Sequence, residues 1–169
     1  MDSLPSVILK PVEPDDVDFM LDCENFEDNT RWSDYRAPLS RNQLMTYALT
    51  YDADPFASGQ LRLIVWNEGE RVGIVDLYDI SEKDGRAFVG ICIHPSKRNN
   101  GYGCSSLLAL NALARQRLGL RALAAKISEI NKTAISVFKR VGYNSVSLLP
   151  AWHKIGAEYH DIRLLVLYF

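Results

Sequence analysis

A short polar stretch, residues 94–104 (HPSKRNNGYGC), holds the clearest candidate chemistry in the chain. It follows an apolar run and precedes a leucine-rich segment, so it is expected to join a buried strand to a buried helix. The first turn of a helix has unpaired backbone N–H groups and partial positive charge, and Gly101 and Gly103 let a ligand approach the backbone closely. Lys97 and Arg98 add full positive charges. The stretch therefore predicts an anion-binding site suited to a diphosphate.

Two common phosphate-binding motifs do not fit this stretch. It lacks the Gly-Lys-Ser/Thr of a nucleoside triphosphate P-loop, and residues 98–103 read RNNGYG rather than GxGxxG. An RxxGxG pattern alone occurs in many surface turns. Its position between a strand and a helix is what favours a ligand site.

Charge is distributed unevenly, although the formal net charge is only −2. Residues 13–34 contain one base, Arg31, and nine acids: Glu13, Asp15, Asp16, Asp18, Asp22, Glu24, Glu27, Asp28 and Asp34. Residues 97–140 contain one acid, Glu129, and nine bases: Lys97, Arg98, Arg115, Arg117, Arg121, Lys126, Lys132, Lys139 and Arg140. The pattern is compatible with solvated helix faces, and equally with one side of the molecule built for an anion and the other for a cation.

Apolar periodicity predicts one domain over residues 1–169 that alternates strands and helices. Strands are expected at 7–9, 61–66, 72–80, 87–93, 121–127, 144–152 and 160–168, and helices near 14 and 40, at 103–118 and at 133–141. Turn signals at 67–70 and 81–86 predict that the three strands between 61 and 93 form an antiparallel meander. This order of elements is typical of a mixed α/β layer arrangement.

Composition excludes several other classes of protein. The chain has 169 residues, of which 47% are hydrophobic and 24% charged, and no window approaches the ~18 apolar residues of a membrane span. The N-terminus lacks the features of a signal peptide, so a cytoplasmic location is expected. Cys23, Cys92 and Cys104 show no CxxC spacing, and the three histidines have no metal-ligand spacing. We therefore expect reduced thiols, no metal and no nucleic-acid partner.

Two blocks of the sequence resemble the GNAT superfamily of acyl-CoA N-acetyltransferases. Residues 98–103 match Q/R-x-x-G-x-G/A, and residues 131–143 (NKTAISVFKRVGY) resemble N-x-x-A-x-x-x-Y-x-K-x-G-F. The resemblance runs from Ile8 through the final hairpin and is closest to the branch of spermidine acetyltransferases and ribosomal-protein N-terminal acetyltransferases. It implies an α/β (α+β) fold: a mixed, mostly antiparallel central sheet with helices on both faces and a splayed pair of parallel central strands.

The resemblance also implies acetyl-CoA as the cofactor. The loop from Arg98 to Cys104 would wrap the pyrophosphate, and the strand at 91–93 would splay from the strand at 121–127 to expose backbone groups to the pantetheine arm. Asn131 would contact the cofactor from the far side. The cofactor-binding residues predicted in this way are Ile91, Cys92, Ile93, Arg98, Asn99, Asn100, Gly101, Tyr102, Gly103, Cys104 and Asn131.

Acetyl transfer to an amine needs a base for the ammonium and a donor for the oxyanion. A carboxylate, acting directly or through water, is the expected base, and a backbone N–H from 91–93 is the expected oxyanion donor. In this branch the acid-rich stretch and the strand beside the splayed one face the acceptor. The candidate substrate-binding residues are Glu24, Glu27, Asp28, Trp32, Asp34 and Asp76, with Asp76 and Glu27 favoured as catalytic bases.

Position 138 departs from the family pattern. Members usually carry a tyrosine there as the general acid that protonates the departing thiolate, and Phe138 cannot donate. The thiolate leaves unassisted, another donor replaces the tyrosine, or catalysis has been lost. Ser136 is poorly placed to replace it, and Tyr143 is expected in the core. The candidate catalytic residues are thus Asp76, Glu27, Asn131 and the altered position Phe138.

The sequence therefore predicts an acetyl-CoA-dependent N-acetyltransferase that acts on a primary amine by direct attack in a ternary complex. The acceptor is a polyamine-like small molecule, an aminoglycoside or a protein N-terminus, and the sequence does not separate these. A catalytically weak acyl-CoA-binding or sensing module is the alternative. A homodimer or higher homo-oligomer is a further expectation of the resemblance.

Overall fold

A single mixed sheet organises the computed structural model, which describes residues 3–33, 37–50 and 54–169. Its strands are β1 (Ile8–Pro11), β2 (Gln60–Asn67), β3 (Glu70–Ser81), β4 (Arg86–Ile93), β5 (Ala122–Ser128), β6 (Asn144–Ile155) and β7 (Glu158–Tyr168). The helices are α1 (Val17–Glu24), α2 (Glu27–Thr30), α3 (Arg41–Thr50), α4 (Pro55–Ser58), α5 (Tyr102–Gln116) and α6 (Lys132–Arg140). The strand order is β1-β2-β3-β4-β5-β7-β6.

Every neighbouring pair in the sheet is antiparallel except β4 and β5, which run parallel. The predicted mixed, mostly antiparallel fold with one parallel central pair is therefore confirmed. A parallel pair needs a crossover connection, and α5 supplies it between β4 and β5. The meander β2-β3-β4 was also predicted correctly.

Helices cover both faces of the sheet and pack against its apolar side chains. Leu107 and Leu110 of α5 pack with Leu123 and Leu165 of the sheet on one face. On the other face, α1 and α3 pack with the sheet through Val17, Met20, Cys23, Leu44, Ile64 and Ile74. Because the central strands are covered on both faces, β2 and β3 read as nearly continuous apolar runs.

The predicted boundaries differ from the structure mainly at short elements. Helices α2 and α4 have four residues each and were not predicted, because so short a segment shows no helical periodicity. The helix expected from Pro14 begins as a 3-10 turn and becomes α1 at Val17. Within the described residues, no helix has both the length and the hydrophobicity to cross a membrane.

Glu129 fixes the segment that connects β5 to α6. Its Oε2 accepts a hydrogen bond from Arg163 Nε of β7 at 2.6 Å, and its Oε1 accepts one from Lys132 Nζ of α6 at 2.7 Å. These hydrogen bonds, first from Arg163 and then from Lys132, lower the pKa of Glu129 to about 2. The ion pairs therefore hold α6 against the end of β7 at neutral pH.

The lowered pKa predicts how the contribution of Glu129 to stability depends on pH. The carboxylate stabilises the fold above its unfolded pKa of about 4.3, and this stabilisation disappears as the pH falls to about 2. Glu129→Gln should therefore lower the free energy of unfolding at pH 7, and the difference from wild type should vanish near pH 2. Urea denaturation across this pH range measures it. Glu68→Gln, at an exposed turn residue, is the control, and a difference that does not depend on pH would contradict the assignment.

Candidate active site

The parallel strands β4 and β5 separate after only three residue pairs. Pairing runs from Arg86–Ala122 to Phe88–Ala124, and beyond it β5 pairs with β7 while β4 pairs with β3. We call the resulting gap the split. It opens into a cavity of about 560 Å³, the inner cavity, which both strands line.

The backbone of β4 alternates between its two neighbours. His94 N–H donates to Val72 O at 3.0 Å, so Cys92, two residues earlier, also turns its backbone groups towards β3. Ile91 and Ile93 consequently turn theirs towards the split. Of the three residues predicted to contact pantetheine, Ile91 directs both backbone groups to the split, and Ile93 offers its N–H there because its carbonyl accepts a hydrogen bond from Arg98.

The N-terminus of α5 has three amides without a partner inside the helix. Ser105 N–H donates to Gly101 O at 3.1 Å and is the first amide to find an acceptor one turn back. The N–H groups of Tyr102, Gly103 and Cys104 precede it and carry the partial positive charge of the helix. The Cys104 side chain is buried in the core, so this residue can contribute to a ligand site through its backbone only.

Positive φ angles shape the loop before α5. Asn99 has φ 62° and Gly101 has φ 81°, an arrangement that turns successive N–H groups inwards. Asn100 Nδ2 donates to the carbonyl of Arg98 at 2.9 Å and closes the loop. A Cβ on Gly101 would lie 3.0 Å from Pro5 Cδ, so a side chain there would meet both backbone strain and a steric contact.

Lys97 and Arg98, the two cations predicted to support this loop, contact other groups of the protein instead. Lys97 forms an ion pair with Glu70. Arg98 Nη2 donates to Asn29 Oδ1 at 2.5 Å, and its Nε donates to the Ile93 carbonyl at 3.3 Å. The Arg98 side chain therefore ties α2 to the end of β4. The positive potential at the α5 N-terminus therefore comes from backbone amides rather than from these two side chains.

Asn131 and Ser128 lie at the far side of the split, and both line the inner cavity. Asn131 Oδ1 accepts a hydrogen bond from Ala134 N–H at 3.1 Å and caps α6. Its Nδ2 has no acceptor among the described residues. Ser128 is 4% exposed, and its hydroxyl has no hydrogen-bond partner in the described part of the chain. The Asn131 amide is thus available to a ligand in the cavity, whereas the Ser128 hydroxyl lies buried in the cavity wall.

Phe138 lies where a tyrosine was expected from the family pattern. It lines the inner cavity, is 2% exposed and packs edge-on against Tyr143 at 4.9 Å between ring centroids. Tyr143 donates its hydroxyl to Asn111 Oδ1 at 2.8 Å, and burial raises the pKa of Tyr143. Tyr143 therefore belongs to the core, as expected from the sequence.

An ion cluster of Arg62, Asp76 and Glu24 lines the inner cavity. Arg62 donates through Nε and Nη2 to the two oxygens of Asp76 at 2.7 and 3.1 Å, and its Nη1 lies 2.7 Å from Glu24 Oε1. Burial opposes the charge of the guanidinium, but attraction by Asp76 and then by Glu24 raises the pKa of Arg62. Each of the three side chains is at most 25% exposed. The two carboxylates are therefore held in fixed orientations.

Two thiols lie beside this cluster. Asn29 Nδ2 donates to Cys92 Sγ at 3.2 Å and to the Cys23 carbonyl at 2.7 Å. A hydrogen bond with the Cys23 thiol lowers the pKa of Cys92 and raises that of Cys23. The Cys92 side chain therefore faces α2 rather than the split.

A second cavity of about 1160 Å³, the outer cavity, adjoins the first. Glu27 and Asp28 line the outer cavity, and Glu24 and Asp76 line the inner cavity. Trp32 lines both. The structure thus brings together every predicted acceptor residue that it describes. Asp34 lies outside the described residues.

Sequence reasoning missed three residues of this site: Arg62, Ser128 and Lys126. Arg62 lies on β2, far from any motif, and only the register Arg62–Asp76 across the sheet places it beside the acids. Ser128 and Lys126 lie on β5 and line the inner cavity. The alternation of β5 puts them on one face, but the sequence gives no sign that this face is open.

The family relationship follows from comparison with known proteins. The sequence profile of the acetyltransferase (GNAT) domain matches residues 6–144. This chain belongs to the GNAT acetyltransferase family. It is accordingly an acetyl-CoA-dependent N-acetyltransferase, and the predicted family, enzyme class and cofactor are confirmed.

Individual relatives share the whole fold at low identity. Spermidine N(1)-acetyltransferase of Escherichia coli is 24% identical over 170 residues, which cover 98% of this chain and 88% of that protein. The structure of spermidine N-acetyltransferase from Vibrio cholerae with CoA and spermine is similar with a TM-score of 0.84 at 16% identity, covering 96% and 95% of the two chains. A ribosomal-protein alpha-N-acetyltransferase in complex with coenzyme A gives a TM-score of 0.87 at 16% identity, covering 97% and 94%.

The loop geometry predicts that Gly101→Ala weakens coenzyme A binding by about tenfold or more, equal to ~1.4 kcal/mol. A Cβ at φ 81°, 3.0 Å from Pro5, shifts the loop that presents the α5 amides. Isothermal titration calorimetry with coenzyme A measures the change.

Gly69→Ala is the matched control. Gly69 has φ 84° in the β2–β3 turn and would place its Cβ in open space. Both variants should lose about 1–2 kcal/mol of stability from the positive φ, but only Gly101→Ala should lose cofactor affinity. Equal affinities of the two variants for coenzyme A would show that the loop does not contribute to cofactor binding.

Proposed function

We propose that this enzyme transfers the acetyl group from acetyl-CoA to a primary amine by direct attack within a ternary complex. The observation that carries the proposal is the split, which opens a cavity between β4 and β5 that Glu24, Asp76 and Asn131 line. The cofactor and the amine then approach the reacting carbonyl from different sides. No covalent acetyl-enzyme is required.

On the cofactor side, backbone N–H groups make the main contacts. The amides of Tyr102, Gly103 and Cys104 hold the pyrophosphate at the positive end of α5. The Ile91 N–H, which faces the split, donates to the oxyanion of the tetrahedral intermediate. These donors are fixed by the sheet and helix, so they need no reorganisation during the reaction.

On the acceptor side, an ammonium must lose a proton before it can attack. An alkyl ammonium with pKa ~10.4 is neutral about once in 2,500 molecules at pH 7, which adds roughly 4.6 kcal/mol to the barrier. Asp76 is the candidate that contacts the amine, because it lies opposite Gly90, with Oδ2 3.5 Å from the position of a Cβ there. Glu27, exposed on the outer cavity, is the candidate that passes the proton to solvent.

The departing thiolate needs a donor other than residue 138. A thiol pKa of about 8.5 makes the thiolate a tolerable leaving group, so a hydrogen bond alone aids its departure. Among the described residues, Asn131 has an unused amide in the inner cavity, and the Ser128 hydroxyl lies in the cavity wall, buried and without a partner. We assign Ser128 as the donor, because its buried hydroxyl has no other partner among the described residues.

A catalytically weak acyl-CoA-binding module is the second candidate, and Phe138 is the observation that favours it. Loss of general acid catalysis typically costs ~100- to 10,000-fold in rate.

Acceptors of the relatives, spermidine and a ribosomal-protein N-terminus, define the classes of amine to test. A cytoplasmic location and a homodimer stay predictions.

A coupled assay separates the two candidates. The protein is incubated with acetyl-CoA and a panel of primary amines, namely spermidine, amino acids and short peptides with free N-termini. We expect thiol release together with a mass increase of one acetyl group on at least one amine. Binding of acetyl-CoA by calorimetry without turnover on any amine would favour the binding module.

The role of Ser128 predicts that Ser128→Ala lowers kcat by about tenfold or more. The KM for acetyl-CoA should change little, since the hydroxyl acts on the thiolate that forms during the reaction. Steady-state kinetics on the best acceptor from the panel measures both constants.

Ser105→Ala is the matched control for Ser128→Ala. Ser105 also has a buried hydroxyl without a partner among the described residues, but it lies on α5 outside both cavities, so kcat should stay at the wild-type value. Adding Phe138→Tyr should restore kcat to Ser128→Ala, because the phenol is then placed at the cavity wall. A loss of kcat that Phe138→Tyr does not restore would show that hydrogen bonding to the departing thiolate is not the function of Ser128.

A further inference from the structure

Lys126 occupies the junction of the two cavities. Of the lining residues that the structure describes, it is the only Lys, Arg, Asp or Glu shared by both cavities. It forms no ion pair with a described residue, and its ammonium lies over the Phe88 ring at 4.3 Å. A cation that has no carboxylate partner within residues 3–33, 37–50 and 54–169 therefore borders the path from solvent to the split.

The register of the sheet places Lys126 directly across the split. Phe88 and Ala124 form the last pair of β4 and β5. Gly90 and Lys126 each follow two residues later, so they lie on the same face as that pair and on opposite sides of the split. Gly90 is the register partner of Asp76 on β3. Because Gly90 has no side chain, no side chain at this position of β4 separates Lys126 from Asp76.

The acids on the other side of the inner cavity are already neutralised in part. Glu24 and Asp76 share the guanidinium of Arg62, at 2.7 Å in each case. Two carboxylates with one guanidinium leave a single negative charge, and Lys126 balances it. An incoming amine thus meets a negative group at Asp76 and a positive group at Lys126.

The described lining of the outer cavity is also not acidic. Glu27 and Asp28 line it together with Arg31, Lys126 and Lys154. Arg31 and Lys154 lie over aromatic rings, at 4.6 Å from Trp32 and 5.6 Å from Tyr159, rather than against carboxylates. Among the described residues of both cavities, the charged groups are four acids, Glu24, Glu27, Asp28 and Asp76, and four bases, Arg31, Arg62, Lys126 and Lys154.

We propose that the acceptor is a primary amine that carries a carboxylate close to the amine, and that Lys126 selects it by binding this anionic group. The inference rests on the proposed amine acetylation and names its substrate class. The charges that the structure describes in the two cavities balance and give a polycation no net attraction, whereas an acceptor with one positive and one negative end complements Asp76 and Lys126 together. A free amino acid and an N-terminus with an acidic first residue share this chemistry.

Three matched acceptors test the selectivity. The acceptors 4-aminobutanoate, butylamine and 1,4-diaminobutane present the same primary amine on a four-carbon chain and differ in whether the far end is anionic, apolar or cationic. We expect kcat/KM to fall in that order, with about tenfold or more between the first and the last. Peptides that differ only in an N-terminal Asp, Asn or Lys form a second arm, and comparison of the arms distinguishes a free amino acid from a protein N-terminus. A wild-type preference for 1,4-diaminobutane would overturn the proposal.

Substitutions at Lys126 test whether this residue causes the selectivity. Lys126→Met should reduce the ratio of kcat/KM for 4-aminobutanoate over 1,4-diaminobutane about tenfold, Lys126→Arg should keep it and Lys126→Glu should invert it. Lys83→Met, at an exposed lysine in the β3–β4 turn outside both cavities, should keep the wild-type ratio. Equal loss of activity on all three acceptors in Lys126→Met would indicate a structural role and overturn the proposal.

Binding measurements separate failure of this inference from failure of the proposed function. The affinity of each acceptor for the protein saturated with coenzyme A is measured by calorimetry, which needs no turnover. The expected order of affinities without turnover would support the selectivity and refute acetyl transfer. Turnover with the reverse order would support acetyl transfer and refute the selectivity.

Discussion

The incomplete pairing of β4 and β5 is the constraint on which the rest of the site depends. A sheet that stayed paired to the ends of both strands would have no cavity between its two faces. Because pairing stops at Phe88–Ala124, the Ile91 N–H has no partner on β5. The same interruption leaves Ser128 and Asn131 lining the cavity at the opposite strand end. One local feature of the sheet thus creates the cavity on which the proposed acetyl transfer depends.

The second determinant is the way charge is paired around the split. Acids that look like one negative surface in the sequence are separated in the fold: Asp16 binds Arg71, Asp18 binds Arg41 and Glu24 binds Arg62. Pairing of this kind orients carboxylates and cancels much of their long-range attraction for cations. The site is therefore one of local, directional contacts rather than a general acidic surface. Its selectivity depends on the few charges that have no partner among the described residues.

Helix α2 shows how a very short element can matter to the site. Arg98 and Asn29 join it to the end of β4, and Asn29 also contacts Cys92 and the Cys23 carbonyl. Hydrogen bonds of this kind to charged groups are among the stronger ones in proteins. The cofactor loop and the acceptor segment are consequently connected through one arginine, which the motif alone would assign to the phosphates.

The sequence by itself determined the family and the α/β sheet with a parallel central pair, because two motif blocks carry the family resemblance and local periodicity marks the strands and helices. The cofactor loop and the acceptor acids stay predictions, and the sequence shows Phe138 where the family usually has a tyrosine. Only the tertiary structure decided the partners of those acids and the directions of Lys97 and Arg98. It also showed that Lys126 stands across the split from Gly90. Cross-strand register joins residues that are far apart in sequence, and no local pattern records which side chains will meet.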